Sequence, residues 1–176
     1  MSVKHTTSRH VAIVLVVIVA LAIAVIALAQ ANRSHVKVST GSIAVTYDGK
    51  TIKAFTMAQV QRLPSVRVRK TIHSSSHPTE TGTFTGVLLR TLIDAADSAL
   101  LHSATQIVTR GSDGFVSVLD PSEVSKGDHV LLAYAEDGRS LGTSRNGGTG
   151  PFRIIVVTDT WGNRDTKWVN EIQIMK

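Results

Sequence analysis

The chain has 176 residues, a formal net charge of +6 and no cysteine. The absence of cysteine excludes disulfides, thiolate-bound metals, iron–sulfur clusters and a cysteine nucleophile. Once the apolar N-terminal segment is set aside, the remaining length suits one domain with its own hydrophobic core.

The first predicted element is an apolar helix. Every residue from Val11 to Ala29 is Val, Ile, Leu or Ala, and at about 1.5 Å of rise per residue this run matches the hydrocarbon thickness of a bilayer. The apolar core of a cleavable signal peptide is shorter, roughly 7–15 residues. We therefore expect a retained transmembrane anchor over residues 11–30. Cleavage as a signal peptide after Ala29 is the alternative, because residues 27–29 have the small-x-small pattern that cleavage requires.

The anchor also predicts where the rest of the chain lies. Basic residues before and after the apolar run nearly balance, so the positive-inside rule alone does not set the orientation. A long downstream domain, however, translocates largely regardless of its own charge. We expect a single-pass protein of the cell membrane, with residues 1–10 as a cytoplasmic basic segment, 31–42 as a linker and 43–176 as a domain on the extracytoplasmic side.

This domain is predicted to be α+β and strand-rich, because Val, Ile and Thr recur between regularly spaced turn signals. A capping box at Thr56 and Gln59 predicts a short helix, and Asp120 followed by Pro121 predicts a second helix start. Apolar residues at helical spacing indicate another helix over 86–96, and 73–82 is predicted to be a polar loop. Strands are predicted at 43–47, 51–55, 65–72, 106–110, 115–119, 130–135, 152–157 and 167–175.

Positive charge is concentrated in the run Arg67-Val68-Arg69-Lys70. If this segment is a strand, Val66 and Val68 face inward while Arg67 and Arg69 face solvent. The alternative is a surface that binds an anionic ligand or a phospholipid membrane. Nucleic acid is not an expected partner, because the domain is predicted to be outside the cytoplasm and offers few aromatic side chains for stacking.

The order of motifs from residue 43 to the C-terminus resembles the oxidoreductase molybdopterin-binding domain of the sulfite oxidase family. This resemblance implies a sulfite-oxidase-type fold and a molybdopterin cofactor with a phosphate tail. The segments that carry it are Phe84-Thr85-Gly86, Ser112-Asp113-Gly114-Phe115, Leu131-Leu132-Ala133-Tyr134, Gly150-Pro151-Phe152-Arg153 and Lys167-Trp168.

By position, the resemblance assigns Arg153 and Lys167 to the anionic cofactor, since charge-assisted hydrogen bonds to phosphate are strong. Asp113 and Gly150 are further candidate cofactor contacts, although Asp113 is also a residue that suits its tight turn. We expect Arg153 and Lys167 to lie together, with the basic run or the loop 73–82 as the opposite wall.

The chain also departs from the family pattern. Active members ligate molybdenum through a cysteine expected here between residues 69 and 76, where this chain has Thr71-Ile-His-Ser-Ser-Ser76. Serine and histidine are not equivalent soft ligands, and His73 and His77 lie in a predicted loop whose spacing defines no metal site. No catalytic residue is assigned and no metal site is expected.

Two functions follow from these observations. The first is a membrane-tethered domain that binds an anionic small molecule, or a redox or scaffold partner at the membrane, without redox chemistry of its own. The alternative is a molybdopterin-dependent oxidoreductase that retains the cofactor without a thiolate ligand.

Overall fold

The structure is a computed structural model that describes residues 4–31, 39–75 and 78–176. The chain divides into two units, Met1–Arg33 and Ser34–Lys176. The first unit contains helix α1, Lys4–Ala31. Its segment His10–Gln30 is long and apolar enough to cross a membrane, although a signal sequence meets the same criterion. The predicted helix is confirmed; its retention and orientation stay predictions.

The second unit is a mixed domain built mainly from strands, as predicted. Within its described residues the strands are β1 Ser42–Tyr47, β2 Lys50–Thr56, β3 Ser65–Ile72, β4 Glu80–Leu88, β5 Gln106–Gly111, β6 Val116–Leu119, β7 Val130–Glu136, β8 Arg139–Ser140, β9 Arg153–Val156 and β10 Val169–Met175. Its helices are α2 Met57–Val60, α3 Leu89–Ala96, α4 Leu100–Ser103 and α5 Pro121–Ser125, and short 3-10 turns lie at Ser144–Asn146 and Gly162–Arg164.

The strands form two sheets. The first has the order β2-β1-β10-β5-β6, and its β1–β10 pair is parallel while the others are antiparallel. The second is antiparallel, with β3 beside β4, β4 beside β7, and both β8 and β9 on the other side of β7. The turn between β1 and β2 has positive φ at both Asp48 and Gly49, as a type I′ hairpin turn requires.

Strand β7 is buried on both faces. Val130 and Leu132 belong to the main hydrophobic cluster, which also receives side chains from the first sheet and from α3. Leu131 and Ala133 belong to a second, smaller cluster together with Phe84. Burial on both faces explains why residues 130–133 are uniformly apolar instead of alternating.

The capping box at Thr56 and the Asp120 cap are both present in the structure, and most strand predictions are confirmed to within one or two residues. The segment 86–96 differs, because its first three residues continue β4 and the helix begins only at Leu89. At Gly86 the backbone of β7 approaches closely, and a Cβ there would lie 2.1 Å from the carbonyl oxygen of Leu132. A short apolar run fits strand and helix equally well, so periodicity alone did not separate them.

Two other boundaries also differ from the prediction. The polar loop 73–82 is shorter than expected, because Glu80 already pairs with Ile72 across β3 and β4. The last strand begins at Val169 and not at residue 167. Trp168 therefore precedes the strand, where it is partly buried and has a left-handed backbone conformation with φ of 50°.

Replacing a core isoleucine should be far more costly than replacing an exposed one in the same type of element. Ile154 is fully buried in β9, whereas Ile52 in β2 is 41% exposed. We expect Ile154→Ala to lower the free energy of unfolding by about 2–5 kcal/mol and Ile52→Ala by about 1 kcal/mol or less. Urea unfolding of the detergent-solubilised chain, followed by tryptophan fluorescence, measures both. Equal losses would contradict this assignment of the core.

Candidate functional site

One face of the second sheet carries a row of charged side chains. Four neighbouring strands contribute one each: Lys70 from β3, Glu80 from β4, Glu136 from β7 and Arg153 from β9. Asp165, which follows the 3-10 turn Gly162–Arg164, adds a buried carboxylate to the same cluster. We call these five residues the charged row.

Arg153 is the most buried large side chain of this row, with only 2% of its surface exposed. Its two terminal nitrogens donate to the two carboxylate oxygens of Glu80, at 2.8 and 3.2 Å. Its guanidinium lies 5.3 Å from the centre of the Phe84 ring and 4.0 Å from Asp165. Burial alone would raise the pKa of Glu80, but the hydrogen bond and charge of Arg153 outweigh it and lower that pKa below its ordinary value.

Lys70 and Asp165 form a second buried pair. The ammonium of Lys70 donates to the carbonyl oxygen of Val156 at 2.6 Å and lies 3.4 Å from both oxygens of Asp165. The Val156 amide in turn donates to Asp165 at 2.9 Å. Burial raises the pKa of Asp165 above its ordinary value, and the Val156 amide and the nearby cations offset this only in part.

Glu136 has a pKa well above its ordinary value. Burial is the main cause, and together with the neighbouring Glu80 carboxyl group it raises the pKa of Glu136 to about 7, while Arg153 acts against them. The carboxyl group lies against Gly82, where an added Cβ would come 2.5 Å from its Oε1 atom. Glu80 and Glu136 therefore form an interacting acid pair in which one proton is held near neutral pH.

Two adjoining cavities lie at the end of the charged row. The smaller, of about 110 Å³, is lined by Ile72, His73, Ser74, Pro78, Glu80, Arg153, Gly162, Asn163, Asp165 and Lys167. The larger, of about 580 Å³, is lined by Ser74, Ser75, Asp113, Phe115, Gly162, Asn163, Asp165 and Lys167. Lys167 faces both cavities, and its side chain makes no hydrogen bond to any described residue.

Backbone contacts and ion pairs fix the wall that carries Asp165. The guanidinium of Arg164 binds both oxygens of Glu123, at 2.8 and 2.9 Å, and also binds Asp159. On the facing side, the amide of Gly162 donates to the carbonyl oxygen of His73 at 3.1 Å. These contacts hold the two walls of the smaller cavity together.

Hydrogen bonds of the following residue hold the backbone beside Lys167. The next residue, Trp168, donates from its backbone amide to Thr149 at 3.0 Å and from its indole nitrogen to the carbonyl oxygen of Gly148 at 2.7 Å. The left-handed backbone of Trp168 costs of order 1–3 kcal/mol in a residue other than glycine. Such strain persists only where neighbouring contacts hold it, and the Trp168 hydrogen bonds fix the backbone next to Lys167.

The structure brings Arg153 and Lys167 to one cavity, and residues from the predicted loop, His73 and Ser74, supply its opposite wall. The basic run contributes only in part. Arg67 and Arg69 are exposed, as the alternation predicted, on the other side of β3 from Lys70. His77, the second histidine considered for a metal site, lies outside the described residues.

Asp113 and Gly150 lie in different surroundings. The carboxylate of Asp113 accepts a hydrogen bond from the Phe115 amide at 3.0 Å, as expected for a turn residue, and it also lines the larger cavity with Lys167. Gly150 lines a separate groove with Trp168 and does not meet Arg153 and Lys167 there. Cofactor binding by these four residues stays a prediction.

Sequence reasoning missed most of the charged row. Lys70 was noted only as a member of the basic run, with no direction assigned, yet it has the same strand parity as Val66, Val68 and Ile72, which marks it as inward-facing. Glu80 stood in a predicted loop and Asp165 in a segment with no assigned structure. Of these residues, only Lys70 could have been predicted to face inward from the sequence, because of its position in the alternation of β3.

Removing Lys70 should leave the buried carboxylate of Asp165 with too little positive charge beside it. We expect Lys70→Met to lower the free energy of unfolding by about 3–5 kcal/mol, the range for breaking a buried ion pair. Arg69→Met is the matched control: it is the adjacent residue on the exposed face, and its loss should cost about 0.5 kcal/mol or less. Urea unfolding compares the two variants. Similar stabilities would show that the Lys70–Asp165 pair is not buried as described.

Comparisons with known proteins agree with this architecture. The family model of the oxidoreductase molybdopterin binding domain matches residues 31–176. Among solved structures, the sulfane dehydrogenase SoxCD from Paracoccus pantotrophus is similar, with a TM-score of 0.63 at 17% sequence identity. That match covers 80% of this chain but 40% of the SoxCD chain, so it shows the fold alone. A search of curated proteins found no match. The chain belongs to the oxidoreductase molybdopterin binding domain family.

Proposed function

We propose that this chain is a membrane-tethered, extracytoplasmic member of the family that binds a compact anion at Lys167, without thiolate-ligated molybdenum. The observation that carries the proposal is the position of Lys167 between two cavities, with no hydrogen bond to a described residue. A cationic side chain held in this way is suited to an anionic ligand, because charge-assisted hydrogen bonds are among the strongest in proteins.

The residues present do not fit the family's complete cofactor. The sequence contains no cysteine, so no thiolate is available for molybdenum. The two other cations at the site already have partners: Glu80 binds both terminal nitrogens of Arg153, and Lys70 binds Val156 and Asp165. A large anionic cofactor that used both cations would have to displace both of these internal pairs at once. We therefore derive no reaction through a molybdenum cofactor.

The chemistry of the lining residues narrows the ligand class. The smaller cavity is only about 110 Å³ and contains the carboxylates of Glu80 and Asp165 beside the two cations. Such a cavity disfavours a large, highly charged ligand and favours a compact anion such as a small oxyanion or carboxylate. The larger cavity beside it leaves room for an uncharged extension of the ligand.

Membrane tethering and export are further parts of the proposal. They are supported by the length and apolarity of His10–Gln30, and by the tendency of long downstream domains to translocate. A redox or scaffold protein in the same membrane is the proposed partner, because a tether confines the domain to encounters there.

The second candidate is a molybdopterin-dependent oxidoreductase, which membership of the family favours. Metal analysis of the full chain purified from its natural host separates the two. Our proposal predicts no molybdenum or tungsten above background. About one equivalent of either metal per chain would support the oxidoreductase and overturn our proposal.

Lys167→Gln should weaken anion binding while leaving the fold intact. Loss of one charge-assisted hydrogen bond costs about 1.5–3 kcal/mol, which corresponds to a roughly ten- to hundredfold weaker Kd. Isothermal titration of the detergent-solubilised chain with sulfate measures the change, and Lys126→Gln, at an exposed position away from both cavities, is the control. Equal sulfate affinity in the two variants would show that Lys167 does not bind the anion.

Membrane fractionation and protease protection test the tether. The full-length chain should remain in the membrane fraction after a high-salt wash, and protease added from outside should remove a C-terminal tag. A soluble product beginning at Gln30 would show that the helix is a cleaved signal sequence. A tag protected from external protease would show that the orientation is the reverse of the one proposed.

A further inference from the structure

Arg153 is bound from within the protein in the way that an external anion would bind it. Glu80 offers both carboxylate oxygens to the two terminal nitrogens of Arg153, which is the geometry of bidentate anion recognition. The two partners differ in burial: the Arg153 side chain is 2% exposed, whereas that of Glu80 is 35% exposed and lines the smaller cavity. Glu80 is therefore the partner that can leave without unpacking the core.

If Glu80 leaves Arg153, its carboxylate stays next to Glu136, a residue that can hold a proton. Glu136 lies beside it, with its carboxyl group over Gly82 on the same face of β4 as Glu80. Without Arg153 the pair would place two negative charges together, which strongly favours retention of a proton. The structure thus combines an internal competitor for Arg153 with a group that can neutralise it.

We propose that an anion and the Glu80 carboxylate compete for Arg153, and that anion binding is accompanied by uptake of about one proton by the Glu80–Glu136 pair. This inference rests on the proposed anion site and adds its regulation. The charge balance agrees with it, since the charged row and Lys167 together hold three cations and three carboxyl groups, and Asp137 and Arg139 beside Glu136 offset each other. One added proton leaves this set of groups with a net positive charge that an anion can match.

All the charged groups that face Glu136 belong to this balance. Glu80 and Arg153 contact the pair directly, and Asp137 adds a nearby negative charge. Arg139 stands opposite Glu136 across β7 and β8. Among the described residues, the remaining charged groups on the same face of the sheet or at the cavity are Lys70, Asp165 and Lys167, and the imidazole of His73 also lines the smaller cavity.

The sign of the pH dependence follows from the proton count. Below about pH 7 the pair already holds a proton, because the pKa of Glu136 is raised to about 7, so anion affinity should be nearly constant. Above that pH the free pair has lost its proton and binding must restore it. The Kd should then rise toward tenfold per pH unit, the limit for uptake of one proton.

Sulfate is the probe, because its own charge does not change in this range. Isothermal titration of the full, detergent-solubilised chain from pH 5.5 to 9 should give a flat Kd at the acid end and a rising Kd above about pH 7. Glu136→Gln should remove most of the rise. Asp94→Asn, which removes an exposed carboxylate of α3 away from the cavities, should retain it. Glu80→Gln should bind sulfate more tightly than the wild type at pH 8.

A second measurement on the wild type does not depend on whether the variants fold. Titrations at pH 8 in two buffers of different ionisation enthalpy give the number of protons taken up, for which we expect a value near one. Sulfate binding with no proton uptake and no pH slope would overturn the coupling while leaving the anion site intact. Absence of sulfate binding at every pH would overturn the anion site itself and the coupling with it.

Discussion

The bidentate ion pair between Arg153 and Glu80 is the contact on which the second sheet and its cavity depend. Arg153 enters a region packed with Phe84 and other apolar side chains, where an unpaired guanidinium would be costly because burial removes its hydration. Glu80, at the first residue of β4, supplies the charge and geometry that make this burial tolerable. The pair thereby joins β4 to β9 on the far side of β7, across the face that carries the second hydrophobic cluster.

The internal ion pairs also determine which cationic side chains remain available to bind a ligand. Buried ion pairs gain little net stability, because desolvation consumes much of the attraction, yet they hold charges in fixed positions. Here Lys70 and Asp165 hold the end of β9 through Val156, and Glu80 holds Arg153. Lys167 is left facing both cavities. The chain thus has the fold of its family, while an internal carboxylate, Glu80, binds Arg153, one of the two cations that the resemblance would assign to a cofactor.

The sequence was sufficient for features that depend on local chemistry. Capping at Thr56 and Asp120 and strand β3 were predicted correctly, since each rests on a few adjacent residues. The charged row depends instead on register between strands far apart in sequence, such as Phe84 opposite Glu136 and Ala133 opposite Arg153. No local pattern reveals that pairing. The expectation that Arg153 and Lys167 lie together came from the family resemblance, and both line the smaller cavity. A resemblance reflects the whole fold, whereas hydrophobic periodicity describes only residues near each other in sequence.

A double-mutant cycle between Arg153 and Glu80 tests the central interaction most directly. The free energy of unfolding would be measured for the wild type, Arg153→Met, Glu80→Gln and the double variant. If Glu80 neutralises Arg153 as described, the double variant should be more stable than the sum of the single losses predicts, by about 1.5–3 kcal/mol, within the range seen for residues in direct contact. Additivity to within about 0.5 kcal/mol would contradict the account, because the two side chains would then not share a buried ion pair.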